Sequence, residues 1–460
     1  PTGSDKLNIT LKSAALDLAT GVTSNIVING AGGNIAIISD TALTPAAGTY
    51  NSTYDRIYSA GGVLTISPYN NGTTIGVGTT GTLNITSAIL NGTDAIFGAG
   101  GKFTGFIIGS ATQTALTSLS GTITTGSTNP ADITFAGPVS LVANTAINTT
   151  NKTITFNKAI DGAFTFATNS GTANTYFNGA IGSATAITSI SSTAGTTILG
   201  GGVTTTSNQT WNSTITLSGN TTLISNTANT GSITIGAGAN IDVLGYTLAI
   251  QADNLTFNSG AQIQSSTRNG GLQIMPLTVS KTIGINTTSC ANSSTAVTCA
   301  ISLPATLWSG ANAVFKDGFA SITVGSTSQT GNINILGGTS SSPFAYTSPL
   351  VLQQATTCTA STSTCYIGTY GSSATTGYIQ YQGTNITTGG FTINAARNAY
   401  LGLNTNISAI SGDKVNISLA TNIASGSIDL SAGTITLNGA GGSINFTSDL
   451  MSLAGASNSN

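Results

Sequence analysis

Short runs in which β-branched or apolar residues alternate with Thr, Ser or Asn recur along the whole chain. Clear examples are Leu7–Leu11, Val63–Ser67, Thr153–Phe156, Ser232–Ile235 and Gly433–Leu437. Period-two alternation of this kind predicts β-strands with one buried face. Gly-Gly, Asn-Gly and Ser-Gly pairs separate the runs, and they adopt the positive φ angles of tight turns at low steric cost. The sequence therefore predicts many short strands joined by turns.

Helices have little support in the sequence. The 460 residues contain no Glu and few Lys or Gln, so the strong helix formers other than Ala and Leu are scarce. The two best helix candidates are Leu303–Phe315 and Thr392–Leu403, and we predict irregular or one-turn structure for both. The chain is therefore expected to be all-β.

Internal repeats indicate how the strands are arranged. Gly238–Asp242 recurs as Gly260–Gln264, at an offset of 22 residues. A longer repeat relates residues 133–146 to residues 215–228, at an offset of 82 residues with half of the positions identical. Strands every seven to eleven residues within a 22-residue repeat fit coils of about three strands each.

This pattern predicts a parallel β-helix, or β-solenoid, that runs continuously over residues 1–460. Loop insertions are expected near residues 285–300 and 354–370, where the two cysteine pairs lie. The alternative fold is a series of tandem β-sandwich domains, which the 82-residue repeat allows. The 22-residue repeat and the lack of linker-like boundaries favour the solenoid.

Composition excludes several classes of protein. The chain is 39% hydrophobic with a formal net charge of −2, which is unlike a disordered segment. Its eleven basic residues are scattered, so we expect no nucleic-acid partner. No stretch approaches the roughly 18 apolar residues of a membrane-spanning helix. Because the chain has no His, it cannot form a Ser-His-Asp triad, and we expect neither a cofactor nor a metal.

Carboxylates are the only remaining candidates for catalysis. Cleavage of a glycosidic bond needs two of them across one bond. The closest candidate pairs are Asp242 with Asp253, and Asp413 with Asp429. Their spacings do not match a 22-residue coil, so we interpret these residues as turn caps. We expect no enzyme activity, and a polysaccharide-cleaving β-helix remains the alternative.

The four cysteines form two close pairs in sequence. We predict disulfides between Cys290 and Cys299 and between Cys358 and Cys365, each closing a surface loop. Cross-pairing between the two loops is the alternative. Disulfides indicate an oxidising, exported setting.

A cluster of tyrosines is the best candidate for a contact surface. Tyr366, Tyr370, Tyr378 and Tyr381 lie close together in sequence. Tyr is well suited to stacking on sugars and to protein interfaces. We therefore name these four as possible glycan- or partner-contact residues, although Tyr is equally common in ordinary strands.

Glycine-punctuated segments carry a resemblance to a known family. GNINILGG at 331–338, GTITLNGAGGSINF at 433–446 and GSITIGAGANIDV at 231–243 resemble the filamentous-haemagglutinin-type surface proteins of Gram-negative bacteria, as does the stretch 164–217. The resemblance extends diffusely over nearly the whole chain. It implies a right-handed parallel β-helix, export across the outer membrane and an extracellular location at the cell surface.

The resemblance also implies a function. A rigid β-solenoid rod would act in adhesion, aggregation or a biofilm matrix, with host or bacterial surface glycans or proteins, or further copies of the chain, as partners. An alternative is a subunit of an extracellular filament or sheath that polymerises head to tail. Because the chain begins at Pro1, we expect a processed chain or a piece of a longer one.

Overall fold

The fold comes from a computed structural model of the chain. It describes residues 6–16, 27–29, 32–41, 56–92, 97, 103–126, 130–226, 230–288, 290, 298–356, 365–370, 376–383, 388–402, 405–409, 414–422, 426–430, 435–439 and 441–452. Strands account for 51% of the structure and helices for 2%. The chain divides into two compact units, residues 1–219 and 220–460.

The described residues of unit 1 form twenty strands and one short helix, α1, at Ser87–Asn91. The strands are β1 Ile9–Lys12, β2 Val27–Asn29, β3 Ile35–Ile38, β4 Arg56–Tyr58, β5 Val63–Ser67, β6 Ile75–Val77, β7 Leu83–Ile85, β8 Gly105–Ile108, β9 Thr117–Thr125, β10 Asp132–Phe135, β11 Val139–Thr149, β12 Ile154–Phe156, β13 Ile160–Asp161, β14 Thr165–Asn169, β15 Thr175–Phe177, β16 Ser189–Thr193, β17 Thr196–Leu199, β18 Val203–Thr205, β19 Gln209–Trp211 and β20 Thr214–Leu217.

The strands of unit 1 stack as successive coils of a parallel β-helix. One sheet has the order β1-β3-β5-β8-β10-β12-β15-β17-β20, and a second runs β7-β6-β9-β11-β14-β16-β19. The chain thus passes from sheet to sheet and returns one step further along each. The described ladders within the unit are parallel, which contradicts the alternative of antiparallel β-sandwiches.

Two columns of apolar side chains form the core beside the first sheet. The ladders set one inward residue directly on the next, and most are fully buried. The first column is Ile9, Ile35, Leu64, Phe106, Ile133, Ile154, Thr175, Thr197 and Ile215. The second is Leu11, Ile37, Ile66, Ile108, Phe135, Phe156, Phe177, Leu199 and Leu217.

An aromatic stack lies in the second column. The Phe156 ring lies 4.9 Å from the Phe135 ring and 5.5 Å from the Phe177 ring, with interplanar angles of 8° and 12°. These distances approach the strand spacing of about 4.8 Å, because each ring stands on the same position of the next coil. Phe166, from the second sheet, meets Phe156 edge-on at 5.5 Å.

Buried hydroxyls fill the interior where the apolar columns are interrupted. Ser192 Oγ lies 3.2 Å from Thr168 Oγ1 and 2.8 Å from Thr197 Oγ1. Thr175 Oγ1 donates to Ser170 Oγ at 3.0 Å. All five side chains are at most 3% exposed. The hydroxyls satisfy one another within a coil and, through Thr168 and Ser192, between coils, as burial of polar groups requires.

Unit 2 is built in the same way, with a short 3-10 turn at Ala305–Leu307. Its strands are β21 Thr221–Ser225, β22 Ser232–Ile235, β23 Asn240–Asp242, β24 Thr247–Gln251, β25 Asn254–Phe257, β26 Gln262–Gln264, β27 Gly271–Met275, β28 Ile283–Ile285, β29 Ile301–Leu303, β30 Ser321–Gly325, β31 Ile333–Leu336, β32 Gly338–Thr339, β33 Phe344–Tyr346, β34 Leu350–Gln353, β35 Tyr366–Tyr370, β36 Thr376–Tyr381, β37 Thr388–Ala395, β38 Asn398–Leu401, β39 Asn406–Ala409, β40 Lys414–Thr421, β41 Ser427–Asp429, β42 Thr436–Leu437, β43 Ile444–Thr447 and β44 Leu450–Ser452.

Apart from the pairs β22–β25 and β23–β26, the described strands of unit 2 lie in three sheets. They have the orders β21-β24-β27-β30-β34-β37-β40-β43, β29-β28-β31-β35-β38-β41-β44 and β32-β36-β39-β42. The ladders are parallel except for that between β32 and β36. Two apolar columns run along the first of these sheets, Leu248, Leu272, Ile322, Leu350, Phe391, Ile417 and Ile444, and Leu223, Ile250, Ile274, Val324, Leu352, Ile393, Leu419 and Phe446.

The sequence repeats correspond to the coils. Ile241 pairs with Ile263, so the 22-residue offset is one coil. Ile133 and Ile215 belong to one column and lie four ladder steps apart, so the 82-residue offset is four coils. The prediction of an all-β parallel β-helix is confirmed. A single continuous solenoid over residues 1–460 stays a prediction.

The helix candidates are only partly as predicted. Residues 303–315 contain the 3-10 turn, in agreement with a one-turn feature. The prediction of irregular structure for Thr392–Leu403 is wrong, since most of the segment belongs to strands β37 and β38. Helix α1 was not anticipated. Thr86 accepts a hydrogen bond from Ile89 N, and Gly92 ends the helix with φ +77°.

Replacing Phe156 by Ala should remove the centre of the aromatic stack and leave a cavity. We expect a loss of about 3–5 kcal/mol in local stability. Thr155→Ala is the matched control, because Thr155 lies in the same strand on the outward face, where changes are usually within about 0.5 kcal/mol. Hydrogen exchange at the amides of strands β10, β12 and β15 measures both effects. Equal protection in the two variants would contradict the stack's role.

Candidate functional site

Side chains of Asp and Asn join successive coils at the turns. In each case an Oδ1 atom accepts a hydrogen bond of 2.8–3.1 Å from a backbone N–H that lies 21–29 residues further along the chain. We call this contact an Asx clamp. The acceptor–donor pairs include Asn8–Asn34, Asn34–Val63, Asp132–Thr153, Asn144–Thr165, Asn151–Thr172, Asn220–Thr247, Asp242–Ser266, Asp253–Thr278 and Asn416–Ser443.

Asp242, the first candidate catalytic acid, is part of such a turn. Its Oδ1 accepts hydrogen bonds from Leu244 N at 2.9 Å and from Ser266 N, one coil on, at 3.1 Å. Burial alone would raise the pKa of Asp242, but the hydrogen bonds from Leu244 and Ser266 outweigh it and hold the pKa below its ordinary value. A low pKa suits a permanent acceptor, not a proton donor.

Asp253, the second candidate, is 1% exposed. It accepts hydrogen bonds from Thr278 N at 2.9 Å and from Thr278 Oγ1 at 2.6 Å. Lys281 Nζ lies 4.0 Å from its Oδ2 atom. The carboxylate is thus enclosed by groups that hold it in place, and it caps a turn as the sequence indicated.

The other acidic pair does not form a described site. Asp429 lies at the end of β41, opposite Tyr400 in the neighbouring strand. Burial, with a smaller contribution from the Asp429 charge, raises the pKa of Tyr400. Asp413 lies outside the described residues. The part of the chain that the structure describes brings no three Cys or Asp side chains together as metal ligands.

The first predicted disulfide is present. Cys290 and Cys299 are bonded, with their Cα atoms 4.9 Å apart, and both are buried. They lie between β28 and β29, which pair in one sheet. A Cβ on Gly284 would overlap Cys299 Sγ, so glycine lets the disulfide lie against this strand. Cys365 is also disulfide-bonded, and its predicted partner, Cys358, lies outside the described residues.

Two of the four tyrosines proposed as contact residues are buried. Tyr381 is fully buried and Tyr366 is 6% exposed. The Tyr381 ring packs 5.5 Å from the buried ring of Tyr346. Tyr378 is half-buried on β36, and the Tyr370 side chain lies outside the described residues. Two of the four are therefore core residues, which the sequence could not distinguish from exposed ones.

A shallow groove crosses the outer face of β14, β16 and β19. It has a volume of about 400 Å³ and is uncharged. Its lining consists mainly of small or hydroxyl-bearing residues with one amide, namely Thr165, Phe166, Ala167, Ser189, Ile190, Ser191, Ser207, Asn208 and Thr210. This face offers hydroxyl and amide groups to a neutral ligand.

The strongest exposed feature is the last coil of unit 2. We call strands β42, β43 and β44 the terminal coil. Each of them lies at the edge of its sheet, and no described strand pairs with its other side. Its apolar residues are exposed, Ile444 by 41%, Phe446 by 36%, Leu450 by 57% and Met451 by 42%.

Two of these exposed residues continue the buried columns of unit 2. Ile444 pairs with Ile417, and Phe446 pairs with Leu419. Ile417 and Leu419 are completely buried. Ile444 and Phe446 therefore occupy core positions that nothing described covers. Period-two alternation in the sequence predicts these strands, but it does not show that their apolar side chains are exposed to solvent.

Acid should weaken the clamp of Asp242. Because its folded pKa is lowered, its contribution to stability is present above the unfolded value of about 3.9 and is lost as pH falls through the folded value. We expect Asp242→Asn to lose less stability than the parent chain between neutral pH and about pH 3. Thermal unfolding at several pH values measures this.

Asn220→Ala is the control for the acid experiment. It removes an uncharged clamp to Thr247 N, so it should lower stability equally at each pH. Identical pH profiles for the parent chain and Asp242→Asn would contradict the assignment.

Tryptic peptides can test the disulfides directly. Cleavage after Lys281, Lys316 and Arg397 leaves Cys290 and Cys299 in one peptide and Cys358 and Cys365 in the next. Local pairing predicts two unlinked peptides, each of which gains two hydrogens on reduction. A single species containing both peptides would demonstrate cross-pairing, and alkylation without reduction would reveal free thiols.

No helix among the described residues is both long and apolar enough to cross a membrane. The sequence matches no protein-family model and no curated protein, and the fold matches no solved structure. The resemblance to filamentous-haemagglutinin-type proteins therefore stays a prediction.

Proposed function

We propose that the chain is a structural and adhesive protein of an extracellular surface, in which the β-solenoid serves as an inert scaffold for adhesion, aggregation or a matrix. The observation that carries this proposal is the role of the charged groups. Asp132, Asp242 and Asp253 each accept hydrogen bonds from the backbone of the next coil. These three carboxylates, which could otherwise act as general acids or bases, instead hold neighbouring coils together.

The composition supports the same function. Only 5% of the residues are charged, while stacked Ile, Phe and Thr side chains fill the coils. Such an interior is held together by packing and by hydrogen bonds between coils, which suits a passive scaffold. The disulfide between Cys290 and Cys299 supports an oxidising, exported location.

A polysaccharide-cleaving enzyme is the competing function, and the contacts of its candidate acids disfavour it. Glycoside hydrolysis needs one carboxyl with a raised pKa and a second across the bond. The pKa of Asp242 is lowered, and Asp253 is enclosed by Thr278 and Lys281. Asp242 is therefore poorly suited to donate a proton, and Asp253 is buried away from a substrate.

Attachment of coated beads tests the proposed function. Beads carrying the folded protein should attach to bacterial or host cells, or to one another, more than beads carrying the same protein after unfolding and reduction. A panel of neutral and acidic glycans incubated with the protein should show no cleavage. Absence of attachment to all surfaces would count against adhesion. Glycan cleavage that disappears in folded Asp242→Asn or Asp253→Asn would establish the enzyme instead.

A further inference from the structure

We propose that the terminal coil binds the first coil of a second copy of this chain, by parallel addition of strand β1 to the open edge of β43. The inference rests on the proposed structural function and names its partner. We call residues 6–16, which include β1, the first coil.

The terminal coil needs an apolar occupant with the periodicity of a strand. Ile444 and Phe446 end two columns whose preceding members, Ile417 and Leu419, are fully buried. Exposed side chains at core positions lose the hydrophobic stabilisation that burial provides. No described strand pairs with the outer edge of β43, and an edge of this kind favours addition of another strand.

The first coil of the same chain matches this edge. Strand β1 has four residues, as β43 does, with Ile9 and Leu11 at its first and third positions. Both are only partly buried, and β1 pairs with β3 alone among the described strands. Pairing Ile9 with Ile444 and Leu11 with Phe446 would continue both apolar columns in the register that β1 already keeps with β3.

Charge also favours this pair of surfaces. The first coil carries exposed Lys6 and Lys12 and no described acid. The described part of the terminal coil carries exposed Asp449 and no basic residue. In the proposed register Lys12 would pair with Thr447, two residues before Asp449. Two terminal coils facing each other would instead bring like charges together.

The geometry of the contact decides the kind of assembly. The first coil of one copy and the terminal coil of another are different surfaces, so the contact is heterologous. A heterologous contact that does not close into a ring makes an open filament. We therefore expect the 460-residue chain to form filaments that lengthen with concentration.

Sedimentation velocity and electron microscopy of the 460-residue chain test the proposal. The mean mass should rise with concentration, and filaments should be visible. Phe446→Lys in the terminal coil and Leu11→Lys in the first coil should each abolish all species larger than one chain. Val142→Lys is the matched control, because Val142 is an apolar residue of unit 1 that is 42% exposed; it should polymerise like the parent chain.

Mixing the two blocked variants distinguishes directed assembly from aggregation. Phe446→Lys retains an intact first coil and Leu11→Lys retains an intact terminal coil, so the mixture should form dimers and nothing larger. Circular dichroism must show that both variants stay folded. A mixture that remains monomeric while the parent chain polymerises would overturn the proposed contact.

Monomeric parent chains would also overturn it. Hydrogen exchange would then show whether other residues of the same chain protect the β43 amides and occupy the edge. The bead experiment separates this failure from failure of the proposed function. If the chains are monomeric but the beads still attach to cells, the adhesive function is supported and the filament is not. If the chains form filaments but the beads do not attach, the filament is supported and the adhesive function is not.

Discussion

Each parallel ladder places a residue directly on the residue at the same position of the next coil, and the rest of the structure depends on this stacking. Stacking of identical or similar apolar side chains stabilises the fold, as in the stack of Phe135, Phe156 and Phe177. Hydroxyls are stabilised as well, because Thr168 and Ser192, which pair in the ladder of β14 with β16, can each donate and accept a hydrogen bond. Like charges would stand about 4.8 Å apart and repel. The scarcity of charge follows from this geometry.

The strands and the coil could be predicted from the sequence because both depend on local alternation and on repeats. Val63–Ser67 and Ser232–Ile235 have the predicted bounds, and the 22-residue repeat is the register of β23 with β26. The partners of the Asx clamps could not be predicted, since the acceptor and the donor lie a whole coil apart and coil lengths vary. The burial of Tyr366 and Tyr381 escaped prediction because Tyr suits either face of a strand.

The clamps explain why acidic residues persist in a chain that has so few. A carboxylate and an amide offer the same Oδ1 acceptor to the next coil, and Asp132 and Asn144 make equivalent contacts at 2.8 and 3.1 Å. Asp also accepts from a second donor where the turn provides one, as Asp242 does from Leu244 and Ser266. Carboxylates in this fold are therefore best interpreted as elements of the turns.

Ile133 and Ile215 lie in one column, four coils apart. This arrangement limits the insertions and deletions that the gene can accept without disturbing the fold. Duplication or loss of whole coils leaves every later strand with the same face inward. Insertion of one residue within a strand turns all of its side chains to the opposite face. Turns between strands can absorb extra residues without changing which face of the next strand points inward. Chain length is thus free to vary in units of one coil, and the 82-residue repeat is the trace that duplication of a four-coil block would leave.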